Sequence, residues 1–553
     1  EGGGMRGAQG AGRREGGRYF TIAALAAIGA AVVVQDLAPP TDYDGLLYHL
    51  VVPRTFLEAH GVVYIPHNFS ANLPALGEML YAFGLAGGSD RMPQLLHGLA
   101  GALAVGLTFT FGARSFGPRP AFWGTAGLAA TPLVPFLATR AYIDLFTVPF
   151  GLMALFGVLV WRDTGRLGWL RVAGAGAGLA LATKYSVLAL VAVLGAAVVV
   201  AGYLRYRQGS KHTGGRPENG DAGGVPALPG WPRRLARVLA PAAVFGGFAT
   251  IFALPWYARQ VMAMGSPVWP MYVGGRDWDA TRVEQLTYFV SQYGMGHRLL
   301  DWLLLPWNVY LHSWRFGHVP ESYPPVLALA APLALLVPLP AARWLLALSA
   351  ASVLLWARGW QDLRFLLGVY PALALLGAAG LDAALGKRRW GHLAVGGVVA
   401  ALCVFTAARQ AGKAWDVVGV VSGRESTAAY LSRRLPDYRA IQVLNEQVPP
   451  GRAALFLGDG QIWYCRPRCI PDPAHDNLLQ WFVRPGDLKA SQMLLQRAGV
   501  SHILLSKVDY WYLQHQDPED RLLRHLARFY EFKAAYLDRV YEDASTEVYR
   551  GRW

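Results

Sequence analysis

The chain has 553 residues, of which 54% are hydrophobic and only 16% are charged. Because a soluble domain usually carries about 25% charged residues, this composition excludes an ordinary water-soluble enzyme and indicates a protein buried in lipid. The formal net charge is +15, yet no basic stretch interleaved with aromatic residues resembles a nucleic-acid motif. We attribute the positive charge to membrane topology and to attraction for anionic membrane lipids, and we expect no nucleic-acid partner.

Long apolar stretches recur from Tyr19 to Thr406. Because a helix needs roughly 17 to 25 residues to cross a bilayer, these stretches predict about eleven transmembrane helices. The predicted spans are 19–36, 91–113, 120–138, 142–161, 169–183, 185–203, 236–256, 323–339, 341–357, 363–385 and 391–410.

The orientation follows from the basic residues. Four arginines precede the first span and no small-residue cleavage site ends it, so we interpret it as a retained helix and residues 1–18 as cytoplasmic. Lys and Arg residues then recur in alternate loops, which is the positive-inside pattern. The transmembrane module is predicted over 19–410, and an odd number of spans places residues 411–553 outside the cytoplasm.

Two connecting segments differ in composition. Residues 206–234 are rich in Gly, Pro and charge and predict a flexible cytoplasmic linker. Outer loops are predicted over 37–90 and 257–322. The 257–322 segment has apolar residues at helical spacing among many Trp and Tyr residues, so we predict one or two helices in the membrane interface. Residues 72–88 have the same character. Such helices could line a cavity for a lipid-linked substrate, although anchoring explains the aromatic residues almost as well.

The tail, residues 411–553, alternates predicted helices and short apolar strands that end or begin at Gly. This order predicts a small α/β domain. Cys465 and Cys469 lie in the tail, and a disulfide between them would suit an oxidising exterior. Two free thiols or half of a metal site remain alternatives, although no second Cys/His pair at zinc spacing accompanies them.

Two aspartates follow the first span, in the stretch "PPTDYDGLLYHLVVPRTF" (39–56). Asp42 occupies a position typical of a helix N-cap, which explains an acid there without any functional role. If the stretch continues as a helix, Asp44 and Tyr48 lie one turn apart on one face. A carboxylate there can act as a general base or hold a cation near a phosphate, and we favour such chemistry for Asp44.

Three other ionisable residues are predicted at the same membrane face as Asp44. Asp144 begins a span from outside, Lys184 lies at the turn between two spans, and Arg364 opens the tenth span. Ionisable groups at the edge of a span are costly and tend to mark function, although a single Lys or Arg can simply extend to the headgroups. Two acids and two bases on one face suit a site that binds a lipid phosphate and transfers a proton.

Five motifs in this order resemble the bacterial GT-C superfamily of polytopic glycosyltransferases, and more narrowly its protein-mannosyltransferase and aminoarabinose-transferase branch. The motifs are "YDGLLYHL" (43–50), "AYIDL" (141–145), "GLALATKYSVL" (178–188), "PWYARQVMAMGSPVWP" (255–270) and "QDLRF" (361–365). The resemblance covers most of the chain. It implies a multi-span helical protein of the bacterial inner or plasma membrane with a periplasm-facing cavity. It also implies a polyprenyl-phosphate sugar donor and inverting transfer to a protein, lipid or glycan acceptor.

The resemblance also implies roles for individual residues. The family's first-loop acid, which has a tyrosine four residues later, falls on Asp44 with Tyr48, and that acid is taken as the catalytic base. The second-loop acid corresponds to Asp144, a second catalytic candidate that is expected to support the site or a metal. A retaining enzyme would use a second carboxylate as nucleophile, and Asp144 could take that role, although nothing in the spacing requires it. Lys184 and Arg364 match basic positions expected to neutralise the donor phosphate.

The chain departs from the family at one position. Where these relatives commonly pair two adjacent acids in the first loop, this chain has Gly45 after Asp44. Asp42 could supply the second acid, so that Asp42 and Asp144 would bind a divalent cation, Mg²⁺ or Mn²⁺. The further candidates for substrate binding are His49, Tyr257 and Arg259, although a lone His at an interface more often has a packing role.

Two rival classes of function stay open. A transporter or lipid flippase also has membrane-embedded charges and broken helices, and a non-catalytic assembly subunit would keep the fold. The aromatic outer loops, the large tail and the lack of a duplicated pattern argue against a transporter. Asp44 and Asp144 argue against an assembly subunit. We predict that the tail caps the cavity or helps to select the acceptor.

Overall fold

The computed structural model describes residues 3–212, 230–271, 273–317, 323–517, 519–521 and 523–553. Much of the predicted linker over 206–234 therefore lies outside the described residues. The first half of the chain is helical, with a π-helix at Gly45–His49 and 3₁₀ turns at Ser70–Asn72 and Tyr185–Val187. Its α-helices are α1 (Gly3–Asp36), α2 (Val51–Glu58), α3 (Leu76–Ala86), α4 (Met92–Phe116), α5 (Pro118–Ala129), α6 (Leu133–Ala138), α7 (Asp144–Thr164), α8 (Leu167–Thr183) and α9 (Leu188–His212).

The second half of the membrane region continues from residue 230. It contains 3₁₀ helices at Ser313–Phe316, Val326–Leu336 and Leu363–Val369. Its α-helices are α10 (Gly230–Met264), α11 (Ala280–Ser291), α12 (Leu299–Leu303), α13 (Leu305–Leu311), α14 (Pro340–Arg358), α15 (Tyr370–Leu385) and α16 (Arg389–Val421).

Among the described residues, eight helices are long and apolar enough to cross a membrane, as judged by length and composition. They are Gly17–Asp36, Met92–Phe116, Asp144–Thr164, Tyr185–Gln208, Leu235–Met264, Pro340–Arg358, Leu363–Leu385 and Arg389–Val421. Each of the eight overlaps one of the eleven predicted spans. The chain is a multi-pass integral membrane protein, and the predicted fold class is confirmed.

The other three predicted spans have shorter or broken structures. The predicted span 169–183 is the apolar helix α8, and 323–339 is represented by the 3₁₀ helix Val326–Leu336. The predicted span 120–138 is divided between α5 and α6. Pro132 lacks the N–H that would continue α5, so a new short helix begins immediately after it.

The C-terminal domain, which we define as residues 424–553, follows α16. Its helices are α17 (Thr427–Arg434), α18 (Tyr438–Gln447), α19 (Leu488–Arg497), α20 (Lys507–Gln516) and α21 (Leu526–Tyr536). Its strands are β1 (Ala453–Leu457), β2 (Arg468–Ile470), β3 (Val500–Ser506), β4 (Leu537–Glu542) and β5 (Thr546–Gly551). The last span therefore runs past its predicted end at residue 410, and the domain begins after it.

The five strands form one sheet in the order β2-β1-β3-β5-β4. β1 pairs in parallel with β2 and β3, whereas β5 pairs antiparallel with β3 and β4. All five residues of β1 are buried, as expected for a central strand with both faces covered. The predicted small α/β domain is confirmed.

The C-terminal domain packs directly on the Gly45–His49 helix. The N–H of Trp463 donates to the carbonyl of Leu46 over 3.1 Å, and the Tyr464 hydroxyl donates to the carbonyl of Pro40 over 2.8 Å. Arg54 donates to the carbonyl of Trp463 over 2.9 Å. The domain therefore fixes the short loop that carries Asp44.

Helix α8 packs closely on α10 through two glycines four residues apart. A Cβ atom at Gly178 would overlap the carbonyl oxygen of Ala249, and one at Gly174 would overlap that of Phe245. Small residues at this spacing let membrane helices approach closely. In contrast, a Cβ at Gly168 would have no atom within 4 Å.

We expect Gly178→Ala to destabilise the protein by about 1–3 kcal/mol, because the added methyl group forces the helices apart. The measurement is the thermal unfolding midpoint of the purified protein in detergent. Gly168→Ala is the matched control and should leave the midpoint unchanged or raise it slightly. Equal midpoints for the two variants would contradict the close approach of α8 and α10.

Candidate active site

The first predicted acid lies at the start of the π-helix Gly45–His49. Asp44 is the residue before this helix, and its Oδ2 accepts a hydrogen bond from Nη1 of Arg364 over 2.8 Å. Single π-helical turns often occur at functional sites. Arg364 is held from its other side by Asp362, whose Oδ2 lies 3.2 Å from the Arg364 Nε. Asp44 and Arg364 each remain partly exposed, at 18% and 19%.

The second pair joins the first residue of α7 to the end of α8. Lys184 Nζ donates to Asp144 Oδ1 over 2.8 Å, and the two side chains are 14% and 2% exposed. Asp144 is in the first turn of its helix, where a negative charge is stabilised by the helix dipole. Lys184 is the C-cap of α8, in extended conformation, before the turn Tyr185–Val187. The break between two apolar segments therefore turns the lysine inward.

The two ion pairs adjoin each other through aromatic rings. Lys184 Nζ lies 5.1 Å from the ring centre of Phe365, and Arg364 Cζ lies 5.9 Å from the same ring. Arg364 Cζ is also 5.4 Å from the ring of Tyr142. The structure thus brings together Asp44, Asp144 and the two predicted basic residues, which come from four separate parts of the sequence.

A third buried pair, which the sequence did not predict, lies next to these two. Nδ1 of His49 is 2.7 Å from Oε1 of Glu78, and the two side chains are buried. Burial lowers the pKa of His49 well below its usual value, and nearby Lys184 acts in the same direction. Burial also raises the pKa of Glu78 to about 8, so burial disfavours the charged form of both members of this pair. The chain separation of 29 residues left no local pattern that could have indicated this partner.

His97 positions the segment that carries Asp144. Its Nε2 accepts from the N–H of Leu145 over 2.8 Å, and its Nδ1 lies 2.9 Å from the carbonyls of Leu137 and Arg140. The ring thus joins α4 to the start of α7. We attribute to His97 a structural role in holding Asp144 in place, which the sequence also did not indicate.

Asp42 acts as a backbone cap. Its Oδ1 accepts from the N–H of Gly45 over 2.9 Å, and its Oδ2 accepts from the N–H of Ala141 over 3.4 Å. Burial raises the pKa of Asp42 to about 6, against the opposing charge of Arg140. A Cβ atom at Gly45 would overlap the Asp42 carboxylate. Glycine follows Asp44 in this chain because Asp42 occupies the space that a side chain would need.

The donor atoms fit the predicted Asp42/Asp144 metal site poorly. Both oxygens of Asp42 already accept backbone hydrogen bonds, and one oxygen of Asp144 is taken by Lys184. Only Oδ2 of Asp144 is buried without a partner. The cation at this position therefore stays a prediction, and no chemical step below depends on it.

The remaining predicted residues lie around this centre. Tyr48 lies beside His49, with the two rings tilted by 42° and their centres 3.9 Å apart, and burial raises the pKa of Tyr48. Tyr257 has its ring 5.9 Å from that of Tyr185, the neighbour of Lys184. Arg259 donates to the carbonyls of Val63 and Asn72, each over 3.0 Å, and braces the 37–90 segment.

The two cysteines of the C-terminal domain, Cys465 and Cys469, are joined in a disulfide. Cys403, in α16, is a buried free thiol. The bridge joins the last part of the connection from β1 to Cys469 in β2. It therefore lies directly after Trp463 and Tyr464, which contact the Gly45–His49 helix.

A polar cavity of about 530 Å³ lies between the two outer segments and the C-terminal domain. We call it the interdomain cavity. The residues that line it include Tyr64, His67 and Asn68 from the 37–90 segment, Asp277, Asp279 and Arg282 from the 257–322 segment, and Gln480, Trp481 and Arg484 from the domain. Asn68 Nδ2 donates to the carbonyl of Leu47 over 2.9 Å, so the cavity adjoins the Gly45–His49 helix.

Two residues on the cavity wall have unusual backbones. The φ angles of His67 and Asp277 are 63° and 58°. Side-chain-bearing residues rarely adopt such angles, and they persist where the surroundings impose them, often at functional sites. A second, apolar cavity of about 370 Å³ lies among α5, α16 and the 326–336 helix and includes none of the paired charges.

Comparison with known proteins agrees with the overall fold. Residues 80–213, which include Asp144 and Lys184, match the family profile described as dolichyl-phosphate-mannose-protein mannosyltransferase. The fold matches ArnT from Cupriavidus metallidurans, both bound to undecaprenyl phosphate and in the apo state. Each match has a TM-score of 0.54 and 16% identity, and covers 96% of this chain and 97% of ArnT. The resemblance to the GT-C superfamily is confirmed.

One further solved structure has a weaker likeness to this chain. The oligosaccharyltransferase of Archaeoglobus fulgidus matches with a TM-score of 0.48 and 13% identity over 95% of this chain and 73% of that protein. We assign the GT-C fold from ArnT, which the chain covers almost completely. No curated protein sequence matches the chain.

Within this GT-C fold, Lys184→Met should destabilise the protein by about 3–5 kcal/mol, because it leaves the Asp144 carboxylate buried without its cation. The double variant Lys184→Met/Asp144→Asn removes both charges and should recover most of the loss. Thermal unfolding midpoints in detergent measure both effects. A double variant no more stable than the single one would show that Lys184 does not compensate Asp144.

Proposed function

We propose that the protein is an inverting glycosyltransferase that moves a hexose or pentose from a polyprenyl-phosphate donor to an acceptor. The transfer takes place at the membrane face that is predicted to lie outside the cytoplasm. The observation that carries the proposal is the convergence of the Asp44–Arg364 and Asp144–Lys184 ion pairs beside Phe365. The GT-C fold and the mannosyltransferase profile support this reading. The ArnT structure with bound undecaprenyl phosphate supports a lipid-phosphate donor.

The two cations suit a lipid phosphate that becomes a leaving group. When the bond from sugar to phosphate breaks, negative charge grows on the phosphate oxygens. Lys184 Nζ and Arg364 Cζ lie 5.1 Å and 5.9 Å from the centre of the Phe365 ring. Preorganised positive charges at such a site stabilise the negative charge that grows on the phosphate. A guanidinium can also pair with two phosphate oxygens at once.

Asp44 suits the acceptor side of the reaction. Its Oδ2 is bonded to Arg364 in the free protein, and a bound donor phosphate would compete for that guanidinium. The carboxylate would then be free to accept the proton of the acceptor hydroxyl as its oxygen attacks the anomeric carbon. The C–O bond to the acceptor forms as the bond to phosphate breaks, so one displacement inverts the anomeric configuration.

Asp144 does not resemble a second catalytic nucleophile. Its side chain is 2% exposed and one oxygen is bonded to Lys184. A retaining mechanism needs a second carboxylate that reaches the sugar. We therefore assign Asp144 to the positioning of Lys184.

We expect Asp44→Asn to reduce sugar transfer at least about 100-fold, because the amide cannot accept the acceptor proton. The measurement is transfer of labelled sugar from a panel of polyprenyl-phosphate sugars in membranes with matched expression. Glu58→Gln, which changes an exposed acid of the same segment, is the control and should retain activity.

Two outcomes would count against this assignment. Equal transfer by the wild type and Asp44→Asn would remove Asp44 as the base but leave the transferase intact. No transfer by the wild type across the donor panel would favour a transporter or a non-catalytic assembly subunit.

The interdomain cavity is the proposed binding site for the acceptor, which can be a protein, lipid or glycan. Its volume is in the range of ligand sites, and it adjoins the Asp44 loop through Asn68 and Leu47. Arg484 is bonded at one edge to Asp279 over 2.6 Å. This places one wall of the cavity on the C-terminal domain, which agrees with a role for the tail in acceptor selection.

We expect Arg484→Ala to raise the KM for the acceptor about three- to tenfold with kcat unchanged, because one hydrogen-bonding group is lost from ground and transition states alike. Arg497→Ala, an exposed arginine of α19 outside the cavity, is the control. A change in kcat alone, or an unchanged KM, would argue that the acceptor binds elsewhere.

A further inference from the structure

Three carboxylates from separate elements of the C-terminal domain meet in its interior. Asp437 precedes α18, Asp459 lies in the turn after β1, and Asp509 is in the first turn of α20. One carboxylate oxygen of each lies within 4.8 Å of the others. None of the three belongs to the catalytic arrangement described above.

The hydrogen bonding of these acids is incomplete. Asp437 and Asp459 are 5% and 1% exposed, yet Oδ1 of Asp437 and Oδ2 of Asp459 have no hydrogen-bond partner. The other oxygen of Asp459 accepts from the N–H of Gln461 over 2.9 Å. Although Asp437 precedes a helix, its side chain does not cap it. Buried polar atoms are normally satisfied, so these oxygens need either a bound cation or a proton shared between Asp437 and Asp459.

Other buried acids of the same domain do have partners. Asp472 accepts backbone N–H groups of Gly458 and Asn477, each over 3.0 Å. Asp476 forms an ion pair with Arg282 over 2.6 Å. The unsatisfied oxygens are therefore a property of the three-carboxylate cluster rather than of buried acids in this domain generally.

No protein cation neutralises the cluster within the described part of the chain, where the ion pairs include none of the three acids. Three ionised carboxylates so close together would repel one another strongly without a positive charge between them.

We propose that Asp437, Asp459 and Asp509 form a binding site for a hard divalent cation, with Ca²⁺ the best fit. Carboxylate oxygens are the ligands that Ca²⁺ and Mg²⁺ prefer. One carboxylate oxygen of each acid lies within 4.8 Å of the others, which is close enough for a single ion to bind all three. A cage of protein carboxylates favours Ca²⁺, because Mg²⁺ usually keeps several of its waters.

The cation would tie together α18, the turn after β1 and α20. That turn also contacts the Asp44 loop, since a Cβ at Gly460 would lie 3.3 Å from the Tyr43 hydroxyl. The charges of Asp509 and Asp459 both act on Tyr43. The bound ion thus stabilises the domain at the point where it packs on the 45–49 helix, whatever reaction the protein performs.

The test is direct cation binding by the purified full-length protein in detergent, after treatment with EDTA and removal of the chelator. We expect Ca²⁺ to raise the thermal unfolding midpoint. We also expect Tb³⁺, which replaces Ca²⁺ at carboxylate sites, to show luminescence sensitised by the adjacent tyrosines, Tyr43 and Tyr510, and to be displaced by Ca²⁺.

Two variants test the ligands. Asp437→Asn and Asp459→Asn should each weaken Tb³⁺ binding at least about tenfold and lose the Ca²⁺-dependent rise in midpoint. In EDTA their midpoints should equal or exceed that of the wild type, because each removes one charge from a repulsive cluster. Asp538→Asn, an acid of β4 that pairs with Arg552 at the surface, should behave as the wild type.

A wild type with neither a Ca²⁺-dependent midpoint nor sensitised Tb³⁺ luminescence would overturn the proposal and show that protons neutralise the cluster. Unchanged Tb³⁺ binding by both variants would overturn it as well. Because the wild-type measurement needs no variant to fold, poor expression of a variant does not prevent a decision. These readouts also do not depend on sugar transfer.

Discussion

The ion pair between Asp44 and Arg364 joins residues 320 positions apart in the sequence and constrains the rest of the site. An isolated charge at the edge of a membrane is costly in free energy. The carboxylate of Asp44 is therefore paired with the guanidinium of Arg364. The second pair, Asp144 with Lys184, follows the same rule. Arg364 and Lys184, which neutralise the acids in the free protein, are therefore the same side chains that can bind a phosphate.

The C-terminal domain takes part in this arrangement. Trp463 holds the backbone of the Gly45–His49 helix, and Tyr464 holds the segment before it. The 37–90 and 257–322 segments meet the domain around one polar cavity. The membrane region thus carries the paired cations proposed to bind a lipid phosphate, whereas the domain provides one wall of the cavity proposed to bind the acceptor. The proposed transferase needs both, since its donor would be anchored in lipid and its acceptor would bind beside it.

The sequence predicted the parts of the site that carry their own local signal. Asp44, Asp144, Lys184 and Arg364 are charges at the ends of apolar runs, and such positions are visible without a structure. Glu78, His97 and the three-carboxylate cluster were not predicted, because the role of each depends on partners far away in the sequence. The span predicted over 120–138 was also wrong as a single helix. Pro132 lacks the backbone N–H that would continue the helix, and a hydropathy pattern does not show this.

The most direct test of the proposed phosphate site is an experimental structure of the protein with undecaprenyl phosphate added. We predict that the phosphate lies within hydrogen-bond distance of Arg364 and Lys184, with Arg364 drawn away from Asp44. A phosphate bound elsewhere, with the Asp44–Arg364 and Asp144–Lys184 pairs intact, would contradict the proposed site.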